Sequence, residues 1–160
     1  MATRTLQLIS YRYSSKQRAH FAIFVPSSAN PDLGTLIHVV GAPMAGYMLE
    51  FKRNYSPTMT QEPHEMYPIG EVFAANIIES TSNGRSRDNK PRDKLEREAA
   101  QVAPPRISEN FRAPVNDTTN RRCQEWTIDF VRRLVDSGVI AQTAFDIVQD
   151  KRDPPSHGIV

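Results

Sequence analysis

The sequence predicts an α+β fold in which an antiparallel β-meander of four or five strands packs against a C-terminal pair of helices. Three observations support this prediction. The first 55 residues contain four short segments rich in β-branched and aromatic residues, with turns between them. The strongest amphipathic helix pattern comes late, after residue 117. The length of 160 residues suits one domain with one core.

The strand patterns follow one another along the N-terminal half. They cover residues 3–13, 18–25, 35–40 and 46–55, and a weaker fifth pattern covers residues 67–77. The second segment, RAHFAIFV, is nearly all apolar after His20, as expected for a strand covered on both faces. The fourth alternates apolar and polar residues, which predicts one face exposed to solvent.

A polar stretch separates the strands from the helices. Residues 80–90 have the composition of a flexible loop. Residues 91–102 then predict a short helix with Pro91 at its first position, preceded by Asn89 or Lys90, and two prolines end it.

The C-terminal helix pair has clear signals. Four capping-type residues, 117–120, precede an apolar stripe built on Trp126, Phe130 and Leu134, and Gly138 is a suitable residue to end this helix. A second helix is predicted over residues 141–148. We therefore expect a single domain over residues 1–150, with residues 151–160 as a disordered tail.

Charge and cysteine content restrict the class of protein. The formal net charge is +2, from 20 Lys and Arg against 18 Asp and Glu, and a nucleic-acid partner would favour a clustered basic excess. The chain shows no signal-peptide pattern, no apolar run of membrane-spanning length and only one cysteine. These features predict a cytoplasmic protein without a membrane span. We also expect no cofactor.

Cys123 is the best candidate for a reactive residue. Its place in the first turn of the long helix would stabilise a thiolate, because unpaired N–H groups and the positive end of the helix dipole lie there. Arg121 and Arg122 precede it and would act in the same direction. The competing interpretation is that Cys123 is a small buried apolar residue.

Two histidines could supply the base that an activated thiol requires. His20 begins the second strand and His38 lies inside the third, so both imidazoles could face the helix if the strands are neighbours. Each could instead be a hydrogen-bonded structural residue. His64 and His157 are predicted to lie on the surface. A Cys/His/His zinc site is a weaker alternative, because the ligands lack paired spacing.

These residues carry a resemblance. An early strand HFAIFV, a second histidine in LIHVVG, and a late helix opening with CQEW are similar to the circularly permuted papain-like superfamily. This group includes the NlpC-type, lecithin:retinol acyltransferase-like and PPPDE-like proteins. The same segments also resemble a set of uncharacterised fungal proteins of this length. Arg122 stands where the acyltransferase-like and PPPDE families usually have asparagine.

The resemblance implies a permuted papain-like topology and a Cys-His-His site. In such a site Cys123 would attack a carbonyl, His20 would be the base and His38 would orient the imidazole of His20. We therefore expect a hydrolase or an acyl or peptidyl transferase acting on an amide, isopeptide or ester, with a peptide, amide or acyl compound as substrate. The alternatives are a catalytically silent binding module with the same fold, and a small-metabolite tailoring enzyme with residues 80–90 as a lid.

Overall fold

The computed structural model describes residues 2–81 and 84–159, and the fold over these residues is α+β, as predicted. Six antiparallel strands form one sheet in the order β5-β1-β2-β3-β4-β6. The strands are β1 Thr3–Tyr11, β2 His20–Pro26, β3 Gly34–Ala42, β4 Gly46–Tyr55, β5 His64–Phe73 and β6 Ser86–Asp88. The helices are α1 Lys94–Ala100, α2 Cys123–Asp136 and α3 Gln142–Asp150.

The predicted meander is present as β1 to β4, but the count of four or five strands is too low. The sixth strand, β6, lies inside the segment 80–90 that the sequence predicts as a flexible loop, of which residues 82 and 83 lie outside the described part. It pairs with the outer edge of β4, and Arg53 of β4 bonds Asp88 of β6. A partner strand therefore orders a polar segment that has no strand pattern of its own.

The fifth strand begins earlier than the sequence indicates, at His64 instead of residue 67. It returns to pair with the free edge of β1, where the register slips between Leu6 and Gln7. The slip falls opposite Pro68 and Gly70. A bulge of this kind accommodates a proline, which has no N–H to give to the ladder.

Two helix starts also differ from prediction. Helix α1 begins after Asp93, whose carboxylate accepts a hydrogen bond from Glu96 N at 2.9 Å, and not at Pro91. Helix α2 begins at Cys123, because the capping-type residues before it belong to a loop organised by Asn116. The Oδ1 atom of Asn116 accepts from the backbone N–H groups of residues 118, 119 and 120. Gly138, with φ of 74°, follows the end of α2 as predicted.

The two faces of the sheet are unequal. The larger core cluster joins one face to the helices and includes Phe21, Ile37 and Phe51 together with Trp126 and Phe130 of α2. The smaller cluster on the opposite face consists of Ile9, Tyr11, Ala22, Phe24 and Leu36, with Tyr55 and Met66 against it. Tyr11 and Tyr55 reach across β2 and β3, and their hydroxyl oxygens lie 2.7 Å apart. They help to bury the centre of this second face.

Candidate functional site

Cys123 is the first residue of α2, and its thiol lies against the start of β2. Its Sγ atom donates to the carbonyl oxygen of Ala19 at 3.8 Å. The backbone of Phe21 hydrogen-bonds to the same sulfur, as does that of Gln124. The ladder between β2 and β3 begins only at Ile23, so the thiol lies beside a part of β2 that β3 does not pair with. It therefore contacts the strand on both sides of His20.

The environment of this thiol does not favour a thiolate in the resting protein, contrary to the sequence-based expectation. Burial raises its pKa to about 11, and this effect outweighs the hydrogen bonds from the backbone of Phe21 and Gln124. Glu125 raises the pKa further. Arg121, which was expected to help, instead pairs with Asp129 at 2.7 Å. The resting sulfur is a neutral thiol.

The two histidines are brought together by the pairing of the strands. His20 Nε2 lies 2.8 Å from His38 Nδ1, and His38 Nε2 lies 2.9 Å from Oε1 of Glu50. His38 and Glu50 are cross-strand partners in β3 and β4. Three strands thus contribute one residue each to a chain of hydrogen bonds.

The histidines lie on the face opposite to that predicted. Side chains alternate along a strand, and their neighbours Phe21, Ile37 and Val39 belong to the cluster under the helices. The ring of His20 instead lies 5.8 Å from the ring of Tyr11, which belongs to the second face. No hydrogen bond joins Cys123 to either imidazole within the described residues. The expectation that both rings face the helix is therefore wrong.

The hydrogen-bond chain fixes the tautomers of both rings. The pKa of Glu50 is lowered chiefly by its bond with His38, so Glu50 is a carboxylate that accepts the Nε2 proton of His38. A neutral His38 then has a lone pair on Nδ1, which accepts the Nε2 proton of His20. The remaining lone pair of His20 is on Nδ1, which makes no hydrogen bond within residues 2–81 and 84–159. Of the four ring nitrogens of His20 and His38, that nitrogen is the one with a lone pair that no hydrogen bond within the described residues occupies.

Burial keeps both imidazoles neutral. Burial is the largest influence on the pKa of each ring. It lowers the pKa of His20 to about 3, and the charge of His38 lowers that pKa further. Burial also lowers the pKa of His38, although the hydrogen bond with Glu50 acts in the opposite direction. His38 is only 3% exposed. The pair is therefore unprotonated at rest, and in this environment His20 is a weaker proton acceptor than an ordinary imidazole.

These pKa shifts predict that the fold begins to lose stability at a higher pH than the protonation of ordinary carboxylates would cause. Between the ordinary pKa of 6.5 and the folded value of about 3, the unfolded chain binds more protons at His20 than the native protein does. The free energy of unfolding should therefore fall as pH falls, by roughly 2 kcal/mol from pH 6.5 to about pH 4.5 for this residue. Urea unfolding at several pH values measures it.

The control for this prediction is a second histidine. In His20→Gln this part of the pH dependence should disappear, whereas in His64→Gln, where the imidazole is on β5 near the surface, it should remain. An equal pH dependence in the wild type and in His20→Gln would contradict the prediction.

A polar cluster that the sequence did not reveal holds the start of β2 against α2. Gln124 is fully buried, and its Nε2 donates to Ala19 O at 2.9 Å and to Asp153 Oδ2 at 2.7 Å. Asp153 also accepts from Ala19 N and from Arg12. Residues 151–160 were predicted as a disordered tail, yet this cluster includes Asp153, while residue 160 lies outside the described part.

Glu50 was also missed as a site residue. Its alternation with Met48 and Lys52 predicted a solvent-exposed face of β4, and its side chain is in fact 17% exposed. The signal that could have identified it is the hairpin register, which places an acidic residue opposite a histidine.

Metal binding and membrane spanning have little support in the described residues. Within 2–81 and 84–159 there is no group of three His, Cys, Asp or Glu side chains arranged to hold a metal ion. None of the helices in these ranges has the length and apolarity needed to cross a membrane.

Comparison with known proteins identifies a family match. The model of a family of unknown function, DUF6540, matches residues 6–141. No curated protein matches the chain, and no solved structure does. The matched range contains His20, His38, Glu50 and Cys123.

Proposed function

The chain belongs to the DUF6540 family of unknown function, and we propose that it is a cysteine-dependent hydrolase or acyl or peptidyl transferase acting on an amide, isopeptide or ester. The observation that carries this proposal is the free lone pair on Nδ1 of His20. The other nitrogen of that ring is fixed by His38 and, through it, by Glu50. A nucleophile, a base and an orienting group are the parts that acyl transfer requires.

The proposed step begins with a neutral thiol. At rest the thiol and the imidazole of His20 lie on opposite faces of β2, so the step first requires the two groups to meet at the start of β2 that β3 does not pair with. Cys123 then exchanges its contact with Ala19 O for one with Nδ1 of His20, and the sulfur attacks the carbonyl carbon as its proton passes to that nitrogen. The carbonyl electron pair moves onto oxygen, next to the unpaired backbone N–H groups at the start of α2. Collapse of this intermediate expels an amine or alcohol, which takes the proton from His20. Water or a second nucleophile then releases the acyl group.

The chain order of the site adds support. His20, His38 and Cys123 follow one another as in the circularly permuted papain-like proteins that the sequence resembles, and we propose the same topology here. The raised pKa of Cys123 gives the mechanism a distinct character. The base must remove the proton during attack, since no thiolate–imidazolium pair exists beforehand.

The experiment is to treat the protein with a panel of acyl and peptidyl esters and thioesters and to locate any adduct by mass spectrometry. We expect one acyl group per chain on Cys123 and rapid release of the leaving group before slower turnover. Prior alkylation with iodoacetamide should prevent both. Added amines that accept the acyl group would identify a transferase. Acylation only at lysines, or none with any probe, would reject the proposal.

A binding module with the same fold is the second candidate, and one observation favours it. The His20–His38 hydrogen bond joins β2 to β3 where the backbone ladder stops, which is a sufficient structural role for the pair. Under this alternative, replacing His20 lowers stability and Cys123 never acquires an acyl group.

A further inference from the structure

The arginines around the start of α2 are not equally neutralised. Arg18 extends across the first turn, where its Nη2 donates to Glu125 Oε2 at 2.9 Å and to Gln124 Oε1 at 3.1 Å. Glu125 also accepts from Arg152 Nε at 2.9 Å. Glu125 is thus shared by two guanidinium groups, and Arg152 also pairs with Asp117 at 3.5 Å, so Arg18 and Arg152 both have carboxylate partners.

Arg122 has no carboxylate partner within the described residues. Its Nη2 donates to the carbonyl oxygen of Phe111 at 2.8 Å, and its backbone N–H donates to Glu125 at 3.0 Å. Its neighbour Arg121 is paired with Asp129, and Arg12 is paired with Asp153. Arg122 is therefore a half-buried cation next to Cys123 in the sequence, and its side chain forms no ion pair in the described fold, although the carboxylate of Glu125 acts on its charge.

Two buried donors at the same place lack an acceptor. The Nε atoms of Arg18 and Arg122 are both buried, and neither has a hydrogen-bond partner in residues 2–81 and 84–159. The side chain of Arg18 is only 7% exposed. A buried N–H of a charged group without an acceptor is costly and uncommon in folded proteins. The pair therefore points to an acceptor that residues 2–81 and 84–159 do not provide.

The N-terminus of α2 also favours a negatively charged acceptor at this place. Helix α2 has 14 residues, and its first N–H groups and dipole favour a negative group at Cys123. One guanidinium without an ion-pair partner matches a single negative charge, and its planar fork matches the two oxygens of a carboxylate.

We propose that Arg122 binds a carboxylate on the substrate, so that the acyl compound attacked by Cys123 carries a carboxylate close to its reacting carbonyl. This inference rests on the proposed function, because it identifies the substrate class of the same site. Arg122 is the substrate-binding residue, and Arg18 supports it from the buried side. The side chain that replaces the asparagine usual in the resembling families thus gains a role of its own.

The test uses the sole cysteine and two reagents that differ in charge. Iodoacetate carries a carboxylate where iodoacetamide carries a neutral amide, and both alkylate the same thiolate, so the ratio of their rates reports anion binding and not thiol pKa. We expect Arg122→Gln to lower the iodoacetate to iodoacetamide ratio by about five- to tenfold, and Arg122→Glu to lower it further. Added salt should reduce the wild-type ratio toward that of Arg122→Gln.

Arg121→Gln is the matched control, since it removes a neighbouring arginine that is already paired with Asp129. It should leave the ratio unchanged, and circular dichroism checks that every variant is folded. Equal ratios in the wild type and in Arg122→Gln would overturn the proposal, as would an equal decrease in Arg121→Gln. Alkylation needs no acyl transfer, so the two proposals can fail separately. Acylation of Cys123 with an unchanged ratio would reject carboxylate binding by Arg122 alone. A lowered ratio without acylation would reject the proposed activity alone.

Discussion

Replacement of His20 with glutamine is expected to slow acylation of Cys123 by about 10²- to 10⁴-fold, the usual contribution of a positioned general base. Glutamine places an amide near the position of Nε2 and can still donate to His38, but it has no basic nitrogen at the position of Nδ1. The substitution therefore removes the proton acceptor and keeps the link between β2 and β3. Single-turnover acylation by an activated ester, followed by mass spectrometry, measures the rate.

Two control variants are needed to interpret the acylation rate of His20→Gln. Cys123→Ala sets the background, and His64→Gln removes an imidazole from β5 without touching the chain from Glu50 to His20, so its rate should equal that of the wild type. The pH dependence of the rate adds a second readout that a purely structural role would not change. If acylation in a folded His20→Gln variant keeps the wild-type rate, His20 is not the base.

Replacement of Arg53 with methionine is expected to lower the free energy of unfolding by about 3–5 kcal/mol, because it leaves a buried carboxylate without its partner. Arg53 is 2% exposed and donates to Glu96 at 2.5 Å and to Asp88 at 2.9 Å. These bonds connect β4 to α1 and β6. Glu96 is also 2% exposed, so its carboxylate is buried and loses its guanidinium partner in the variant. Urea unfolding measures the loss.

The loss should depend on pH. Burial already raises the pKa of Glu96, and Arg53 opposes this effect, so the substitution should raise the pKa further. Between the unfolded and folded pKa values the native variant then binds more protons than its unfolded chain, and lowering the pH stabilises it relative to the wild type. The difference between the two proteins should therefore narrow from pH 7 to about pH 5.

Matched variants separate the buried pair from ordinary charge removal. Arg92 pairs with the same Asp88, but its side chain is 42% exposed, so Arg92→Met should cost no more than about 0.5 kcal/mol. The double variant Arg53→Met with Glu96→Leu should recover much of the loss, because neither member of the buried ion pair then remains. Equal losses in Arg53→Met and Arg92→Met would contradict this account.

The sequence revealed those parts of the fold that depend on local patterns. The apolar run HFAIFV and the stripe through Trp126, Phe130 and Leu134 are periodic over enough residues to define β2 and α2. Strand β6 and the start of α2 escaped prediction for a physical reason. The first depends on the edge of a distant strand, and the second on side-chain hydrogen bonds from Asn116 that compete with helix formation.

The candidate site could be predicted in its composition but not in its geometry. Strand order brings His20 and His38 together, as adjacent strand patterns indicate. Which face the imidazoles occupy depends on where each strand enters the sheet, and a shift of one residue reverses it. The pKa of Cys123 depends on burial, which Arg121 and Arg122 could not reveal from their positions in the sequence.

The cluster around Gln124 has a consequence for the order of events during synthesis. Strands β1 to β4 pair with near neighbours in the chain, so they can associate while later segments are still being made. The bond between Ala19 and Asp153, by contrast, joins residues 134 positions apart. The cluster that holds the start of β2 against α2 is therefore complete only when nearly all of the described chain has left the ribosome. Until then Cys123 is open to oxidants, and a stalled or truncated chain would present it without its neighbours.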